Sequence, residues 1–387
     1  MAEHGLAFLL DYSPKYWGTR EEFHPQLCVQ LRDRGQFPVL VFSEEVAGEV
    51  RERFEAAGAA VYAISYRAGR RRYFSRLGQL IRRHRISLAH IRFFDYFSLL
   101  PWMARLHGVR GIIFTEANSG EWKPAAGKAQ LIRLRTRVTC YPLTRVVAIS
   151  RFIKDRLAAV GIHNDIIDVV YNGVDLDRFA PDPRAAAELR QRYTIDPRET
   201  VLLTASSLLP WKHPEVILQA CGLLAKQGVP FRLLVAGDGV LRPGLEALAA
   251  RLDIADRIHW LGEQKSVEHY FQGADIFVLA SVGEAFGNVI AEAMSCGTPV
   301  VGSRSGAIPE LVEDGQTGLL AEPMNPESFA TAIRRLTEDP ESRAQMSRQA
   351  RARAQRLFPV SACVVNTLAV YEAASSGPKH SQAVLAR

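Results

Sequence analysis

Two glutamates flanking a turn suited to an anion are the most informative chemistry in this chain. Residues 281–310 read SVGEAFGNVIAEAMSCGTPVVGSRSGAIPE, with seven residues between Glu284 and Glu292. Between them, Phe286, Gly287, Asn288 and Val289 open an apolar helical pattern. Their backbone N–H groups therefore lie at a helix N-terminus, where donors lack intrahelical partners and the dipole favours negative charge. Glu292 falls about one turn into that helix. Carboxylates on either side of such a turn can accept hydrogen bonds from hydroxyls around a bound phosphate, and sugar and ribose hydroxyls are the natural candidates. The competing reading makes Glu284 a helix cap and Glu292 a solvated face residue.

Other constellations point elsewhere or nowhere. Asp175-Leu176-Asp177 mimics a metal-binding D-x-D, but it sits in the turn-rich stretch YNGVDLDRFAPDP, where Asn172 and Asp175 are expected to hold the turn. Gly237-Asp238-Gly239 opens like a dinucleotide fingerprint, yet the third glycine position is Arg242 and Gly244 is out of register, which argues against a nicotinamide enzyme. No histidines stand at ligand spacing; His24, His90 and His213 read as structural or surface residues. Cys28, Cys140, Cys221, Cys296 and Cys363 are isolated in sequence, which argues against a disulfide framework or a structural zinc site and suits the reducing cytosol. No metal is expected.

Those residues need elements to position them. A chain of 387 residues is too long for one ordinary core and calls for two or three domains. At 48% hydrophobic and 23% charged it has a globular composition. None of its apolar runs reaches the ~18–20 residues of a membrane helix, and the N-terminus reads as a first strand and not as a signal peptide. Short apolar runs at 6–10, 37–42, 59–64, 88–91, 111–115, 145–149 and 166–170 alternate with helical patterns, several closed by glycine. The pattern breaks at 171–183 and restarts with runs at 201–205, 231–236, 258–261, 275–279 and 298–302. Continuous Val/Ile/Leu runs between helices mean parallel sheets covered on both faces. Two doubly wound α/β domains are expected, facing a cleft where ligands bind outside the carboxyl ends of the strands.

Charge is unevenly divided. Residues 1–180 hold 27 Lys+Arg against 18 Asp+Glu, so the first half carries all the excess of a chain whose net charge is +7. The run 66–85 is basic, with Phe74, Leu77 and Ile81 forming an apolar stripe. Arg70, Arg71 and Arg72 would then either point into water while the stripe packs on a sheet, or dock on anionic lipid. Arg133, Arg135 and Arg137 alternate in another helical region and add to the same face. Nucleic acid is not an expected partner, because no aromatic-rich basic motif lies outside this run.

Taken in order, these segments resemble the nucleotide-sugar-dependent glycosyltransferases of family 4. The resemblance rests on Glu284-x7-Glu292 with FGNVIAEAM, CGTPVV and Gly306…Pro309-Glu310. It is supported by RVVAIS from Arg145, VYNGVDLDRFAP from Val170, LLVAGDG from Leu233, DRIHWLGE from Asp256 and ADIFVLAS from Ala274. It implies the GT-B fold, with two Rossmann-like domains. Residues 1–175 would be the acceptor domain, 176–357 the donor domain, 358–375 a last helix crossing back to the first domain, and 376–387 a disordered tail.

By position, the resemblance assigns Glu284 to donor-sugar hydroxyls, Glu292 to the ribose, and Phe286, Gly287, Asn288 and Val289 to the sugar and diphosphate. Lys212 would neutralise the diphosphate as a point charge. Residues from Arg257 to Gly262 would lie near the nucleobase. The chain departs from the family at three places. Ser206-Ser207 replaces a Gly-Arg pair, so Ser207 could hydrogen-bond a phosphate but not offset its charge. Trp17-Gly18 replaces a glycine pair in the acceptor loop. Glu116 replaces a histidine and could bond a sugar hydroxyl.

The expected activity is retaining transfer of a sugar from a nucleoside diphosphate sugar to a hydroxyl of a glycan or lipid-linked acceptor. Front-face attack, with the leaving phosphate oxygen taking the acceptor proton, would need no side-chain nucleophile, cofactor or metal. The expected setting is cytoplasmic, peripheral to the cytosolic face of a membrane. Ser207 and Glu116 also motivate a non-catalytic binding protein on the same fold, and an epimerase or phosphorylase is a third reading.

Overall fold

A computed structural model of the chain describes residues 4–14, 17–65, 69–94, 98–119 and 129–376. The chain forms two units. The first contains β1 (His4–Leu10), α1 (Thr19–Asp33), β2 (Gln36–Phe42), α2 (Gly48–Ala56), β3 (Ala60–Ala63), α3 (Arg70–Arg83), β4 (Ile86–Arg92), α4 (Leu100–Leu106), β5 (Gly111–Glu116), α5 (Ala129–Cys140), β6 (Arg145–Ala148), α6 (Arg151–Ala159) and β7 (Ile167–Val169). Its seven strands are parallel in the order β3-β2-β1-β4-β5-β6-β7. Every residue of β5 is buried, as a continuous apolar run between two helical layers must be.

The second unit contains α7 (Ala185–Arg192), β8 (Thr200–Ala205), α8 (Pro214–Lys226), β9 (Phe231–Ala236), α9 (Arg242–Arg251), β10 (Ile258–Gly262), α10 (Glu268–Gly273), β11 (Ile276–Leu279), α11 (Asn288–Ser295), β12 (Val300–Ser303), α12 (Ile308–Leu311), β13 (Gly318–Ala321), α13 (Pro326–Glu338) and α14 (Pro340–Leu357). Its six strands are parallel in the order β10-β9-β8-β11-β12-β13. The sequence analysis had no counterpart for β13. Its four residues (Gly-Leu-Leu-Ala) are too short and too glycine-flanked to stand out from a loop. Asn325 and Asp339 cap α13 and α14 through their side chains, each with a proline at the first helical position.

The last helix, α15 (Val360–Ser375), returns to the first unit. Its Val364, Leu368 and Tyr371 join Leu6, Phe8 and Leu27 in one core. The chain leaves the first unit after Gly173 and re-enters it at Val360, two residues later than the sequence boundary at 358. The reason is local. Phe358 accepts the Val174 N–H at 2.7 Å, and its ring packs on Phe286, so it stays with the second unit. The tail expected over 376–387 lies outside the described residues except for Ser376, which is held on the last turn by donating its N–H (3.2 Å) and hydroxyl (2.8 Å) to Glu372 O.

Tyr371 ties α15 to the first sheet. Its hydroxyl lies 2.6 Å from His90 Nδ1, and His90 Nε2 lies 2.6 Å from Thr115 Oγ1. Burial, with Arg92 and His24 adding like charge, pushes the His90 imidazole down to about 3, so the ring is neutral. His90 and His24 are therefore core histidines. Tyr371→Phe leaves a buried ring nitrogen without its partner, and the first unit should lose about 1–3 kcal/mol in urea unfolding. An unchanged midpoint would show that the hydrogen bond contributes nothing.

Candidate active site

Both sheets reverse their strand order at an interior pair, β1/β4 in the first and β8/β11 in the second. Such a reversal sends the loops after the two strands in opposite directions and opens a crevice at their carboxyl ends. In the second unit the loop after β8 carries Lys212 and the loop after β11 carries Glu284.

The route of each loop explains why the two side chains meet. Beyond Ala205 the chain enters a 3-10 turn, Pro210–Lys212, and His213 takes a left-handed conformation (φ 48°) before Pro214 starts α8. The Val282 N–H binds Trp211 O at 3.3 Å and pins the two loops together. Lys212 Nζ then lies 2.6 Å from Glu284 Oε2. Ser119, which groups with the second unit, donates its hydroxyl to Glu284 Oε1 at 2.9 Å and accepts the Ala285 N–H at 3.2 Å. Glu284 is only 7% exposed, and a carboxylate so far from water needs both oxygens partnered. It does not cap α11, whose N-cap is Gly287 in a left-handed conformation (φ 95°).

Backbone packs directly on Glu284 from the other side. A Cβ on Gly306 would sit 2.5 Å from both the N and the O of Glu284, and Gly306 has φ +60°. Ala307 donates its N–H to Glu284 O at 2.8 Å, and Ser305 Oγ accepts the Gly283 N–H at 3.2 Å. Arg353 on α14 binds the carbonyls of Leu311 (2.8 Å) and Glu310 (2.9 Å) at the end of α12, and also pairs with Glu313. Arg351 binds Ser295 O at the end of α11 (2.6 Å) together with Phe179 O (3.1 Å) and Leu176 O (3.2 Å). Glu292 is 6% exposed on α11, so the solvated-face reading is corrected: the face of α11 that carries it is buried. Phe286 is buried too, its ring edge-on to Phe358 at 5.6 Å.

The remaining predicted residues are distributed as follows. Ser207 is exposed in the loop after β8. Gly237-Asp238-Gly239 serves close backbone approach: a Cβ on Gly237 would lie 2.0 Å from Ser206 O, and one on Gly239 2.5 Å from Leu208 O. Gly262 ends β10 and accepts the Gly237 N–H at 2.7 Å. Arg257 precedes β10, at the opposite end of the strand, with its guanidinium over Phe231, so the expectation that it lies near a nucleobase is corrected. Asp175 Oδ1 accepts the N–H groups of Asp177 (3.0 Å) and Arg178 (3.1 Å), the turn-holding role expected of it. Among the described residues, His, Cys, Asp and Glu form no group of three that could hold a metal.

In the first unit, Gly18 begins α1 and its N–H is bound by Glu21 Oε2 at 3.0 Å, while the Trp17 indole N–H binds Glu22. Those donors hold the helix start. Glu116 ends β5 and is 1% exposed. Its Oε1 accepts the Asn118 N–H at 2.7 Å with Arg156 at 4.0 Å, and its Oε2 has no partner. Burial raises its carboxyl above the usual glutamate range, against the opposing effects of Asn118 and Arg156.

Comparison with known proteins fits this geometry. Residues 186–353 match the family described as "Glycosyl transferases group 1", and residues 26–178 match "Glycosyltransferase Family 4". The chain is similar to the glycosyltransferases of these two families over one segment of each unit. One relative, a D-inositol 3-phosphate glycosyltransferase of Streptomyces griseus, is 32% identical over 304 residues, which is 72% of this chain and 62% of the relative. A Mycobacterium protein of the same name is 40% identical over 173 residues, 42% of this chain and 38% of that one. The chain thus matches less than two thirds of the length of either relative. The chain also shares its fold with solved structures. Anabaena HepE in complex with UDP and glucose has a TM-score of 0.80 at 22% identity, covering 96% of this chain and 100% of that one. The lipopolysaccharide outer core galactosyltransferase WaaB has a TM-score of 0.71 at 18% identity, covering 95% and 99%. The fold is GT-B.

Ser119, Ser305, Arg351 and Arg353 were missed by the sequence analysis. Only Gly306, quoted within the motif, marked the close approach to Glu284.

Two substitutions test the geometry. Gly306→Ala forces a Cβ onto Glu284 backbone and should destabilise the second unit by about 2 kcal/mol or more in urea unfolding. Glu116→Gln removes a carboxyl that burial holds back from ionising. The native state binds that proton more tightly than the unfolded chain, so wild-type stability falls as pH rises through the glutamate range. The variant should therefore melt higher than wild type at neutral pH, with the gain vanishing at acid pH. A pH-independent difference would refute the assigned cause.

Proposed function

We propose that this chain is a glycosyltransferase of family 4 that transfers a sugar from a nucleoside diphosphate sugar to a hydroxyl of a glycan or lipid-linked acceptor, with retention of configuration. The observation that carries the reading is the Lys212–Glu284 pair, 2.6 Å apart at the strand-order reversal of the second sheet and beside the N-terminus of α11. A diphosphate arriving there competes for Lys212. As the ammonium turns to the phosphate oxygens, Glu284 Oε2 is released to accept a donor-sugar hydroxyl, while Ser119 keeps the carboxylate in place. Each group is then matched to the part of the donor whose charge or hydrogen bonding it complements.

The other assignments follow. Phe286, Gly287, Asn288 and Val289 offer the sugar and diphosphate the start of α11, Glu292 takes the ribose, Ser207 bonds a phosphate, and Gly262 lies by the nucleotide. Glu116 is supported by its unpartnered Oε2, an acceptor available to a sugar hydroxyl. Trp17 and Gly18 shape the acceptor loop; the Gly18 N–H is already bound by Glu21. Acid–base chemistry is left to the substrate: the leaving phosphate oxygen takes the acceptor proton, and the protein contributes positioning and charge stabilisation without a metal or cofactor. A nucleotide donor is supported by the neighbour crystallised with UDP and glucose, and a hydroxylated acceptor by the relatives' name. The setting we assign is the cytoplasm, at the cytosolic face of a membrane.

The test is nucleoside diphosphate release from UDP-, GDP- and ADP-sugars with and without acceptor extract. Glu284→Ala should lower turnover about 100-fold or more and change nucleotide affinity little. Lys212→Ala should weaken nucleoside diphosphate about tenfold or more beyond any effect on the free nucleoside. Turnover that survives Glu284→Ala overturns the assignment; equal weakening of diphosphate and nucleoside overturns the role of Lys212.

A further inference from the structure

The helical layer formed by α3, α4 and α5 has a composition unlike the rest of the molecule. Together these helices carry ten arginines (Arg70, Arg71, Arg72, Arg76, Arg82, Arg83, Arg105, Arg133, Arg135 and Arg137) and not one Asp or Glu. They also lie side by side. A Cβ on Gly78 of α3 would sit 2.6 Å from the His107 ring at the end of α4. The Trp102 indole of α4 binds Val138 O of α5 at 2.8 Å, and its ring stacks on Tyr141 at 5.8 Å.

The α3 stripe packs inward, the first of the two readings the sequence offered, and the exposed apolar face of this layer lies on α5. The α3 stripe is spent on the core: Tyr73, Leu77 and Ile81 are buried and Phe74 is half-buried, while Arg70, Arg71, Arg72, Arg76, Arg82 and Arg83 are exposed. On α5 the arrangement is inverted. Leu131 (65% exposed), Leu134 (60%) and Val138 stand at the i, i+3, i+7 spacing of one helix face and point outward, and Tyr141 continues them. Leu106 on neighbouring α4 is 76% exposed. Aliphatic side chains gathered on one face are not scattered surface leucines, and such patches mark docking surfaces.

We propose that the outer face of α3, α4 and α5 docks on an anionic lipid bilayer. On this reading Leu131, Leu134, Val138 and Leu106 enter the headgroup–acyl boundary, and the α3 arginines lie over the negative headgroups. The occupant follows from charge and chemistry. A second copy would set the exposed arginines of α3 and α5 against the same arginines, with no Asp or Glu in either helix, which is repulsive. Single-stranded nucleic acid stacks its bases on a series of open aromatic rings, whereas this stripe is mainly aliphatic and its Tyr141 ring is already stacked on Trp102. A bilayer supplies the fixed negative charge and the apolar layer beneath it together. The proposal deepens the membrane setting assigned above by naming the surface that docks, and it does not depend on the sugar-transfer chemistry.

The test is sedimentation of the full chain with vesicles of phosphatidylcholine alone or mixed with phosphatidylglycerol. Binding is expected to the anionic vesicles only and to weaken as salt is raised. Leu131→Ser/Leu134→Ser/Val138→Ser and Arg71→Gln/Arg72→Gln/Arg76→Gln change exposed side chains, and each should lower vesicle affinity about tenfold or more. Unaltered circular dichroism and nucleotide binding would show that both variants are folded. Equal binding to neutral vesicles, or an apolar variant that binds like wild type, overturns the proposal. So does an absence of vesicle binding with a dimer in solution that the apolar variant abolishes, which would give the face to a second copy. Loss of sugar transfer with vesicle binding intact would sink the functional reading and leave this one standing.

Discussion

A carboxylate taken out of water dictates how the second unit is built around its sheet. Glu284 cannot remain ionised and buried unless cationic and hydrogen-bonding partners replace its hydration. Lys212 and Ser119 occupy its two oxygens, and its backbone is held by the turn at Ser305, Gly306 and Ala307. Those partners come from segments far apart in sequence, so a single ionised group constrains the loop after β8, the loop after β11 and the turn after β12 together. Any movement of one loop exposes or unpairs a charge in another. The same constraint gives the Glu284 carboxylate a fixed position, which is what the proposed contact to a donor hydroxyl would require.

Helix α11 is the second fixed point. An eight-residue helix is marginal by itself, and this one is held at both ends by side chains of other elements. Phe286 is seated against Phe358 at its start, and Arg351 binds the Ser295 carbonyl at its end. Because Arg351 also binds carbonyls in the turn at Leu176 and Phe179, the orientation of α11 is tied to the segment by which the chain enters the second unit. Glu292, buried between these two anchors, is placed by tertiary packing and not by the helical propensity of its neighbours.

The contrast between what could and could not be read from the sequence follows the range of each interaction. The α/β class, the two strand series and the start of α11 at Asn288 were legible because they are written in local period and in glycine placement. Glu284 and Glu292 were legible as a spaced pair beside that helix start. Ser119 was not, because a serine in a short loop carries no local mark of a partner 165 residues away. Arg351 and Arg353 were hidden for a different reason. In the strongly polar pattern of α14 they look like members of a solvated face, and only the fold reveals that they reach backbone carbonyls. The basic run follows the first of its two readings: Leu77 and Ile81 are buried and the arginines are exposed, with Tyr73 taking the fully buried place that the stripe gave to Phe74. The stripe on α5 was overlooked because its leucines alternate with arginines.

The charge asymmetry noted in the sequence then acquires a location. Under the proposed function, binding a nucleoside diphosphate would ask for little net charge, because one lysine and the start of a helix would meet its phosphates at short range. The second unit is built accordingly: Arg190 pairs with Asp275, Arg232 with Glu199 and Arg242 with Asp238 and Glu246. Cations there are matched within the fold and generate no broad field. The layer of α3, α4 and α5 is the opposite case, its three helices carrying ten arginines and no Asp or Glu of their own. Stability does not require such a surface, since like charges spaced along a helix repel one another and the core face of α3 is satisfied by Tyr73, Leu77 and Ile81 alone. An arrangement that opposes stability and is unnecessary for donor binding is explained by a partner outside the chain, one extended enough to meet many separated cations at once.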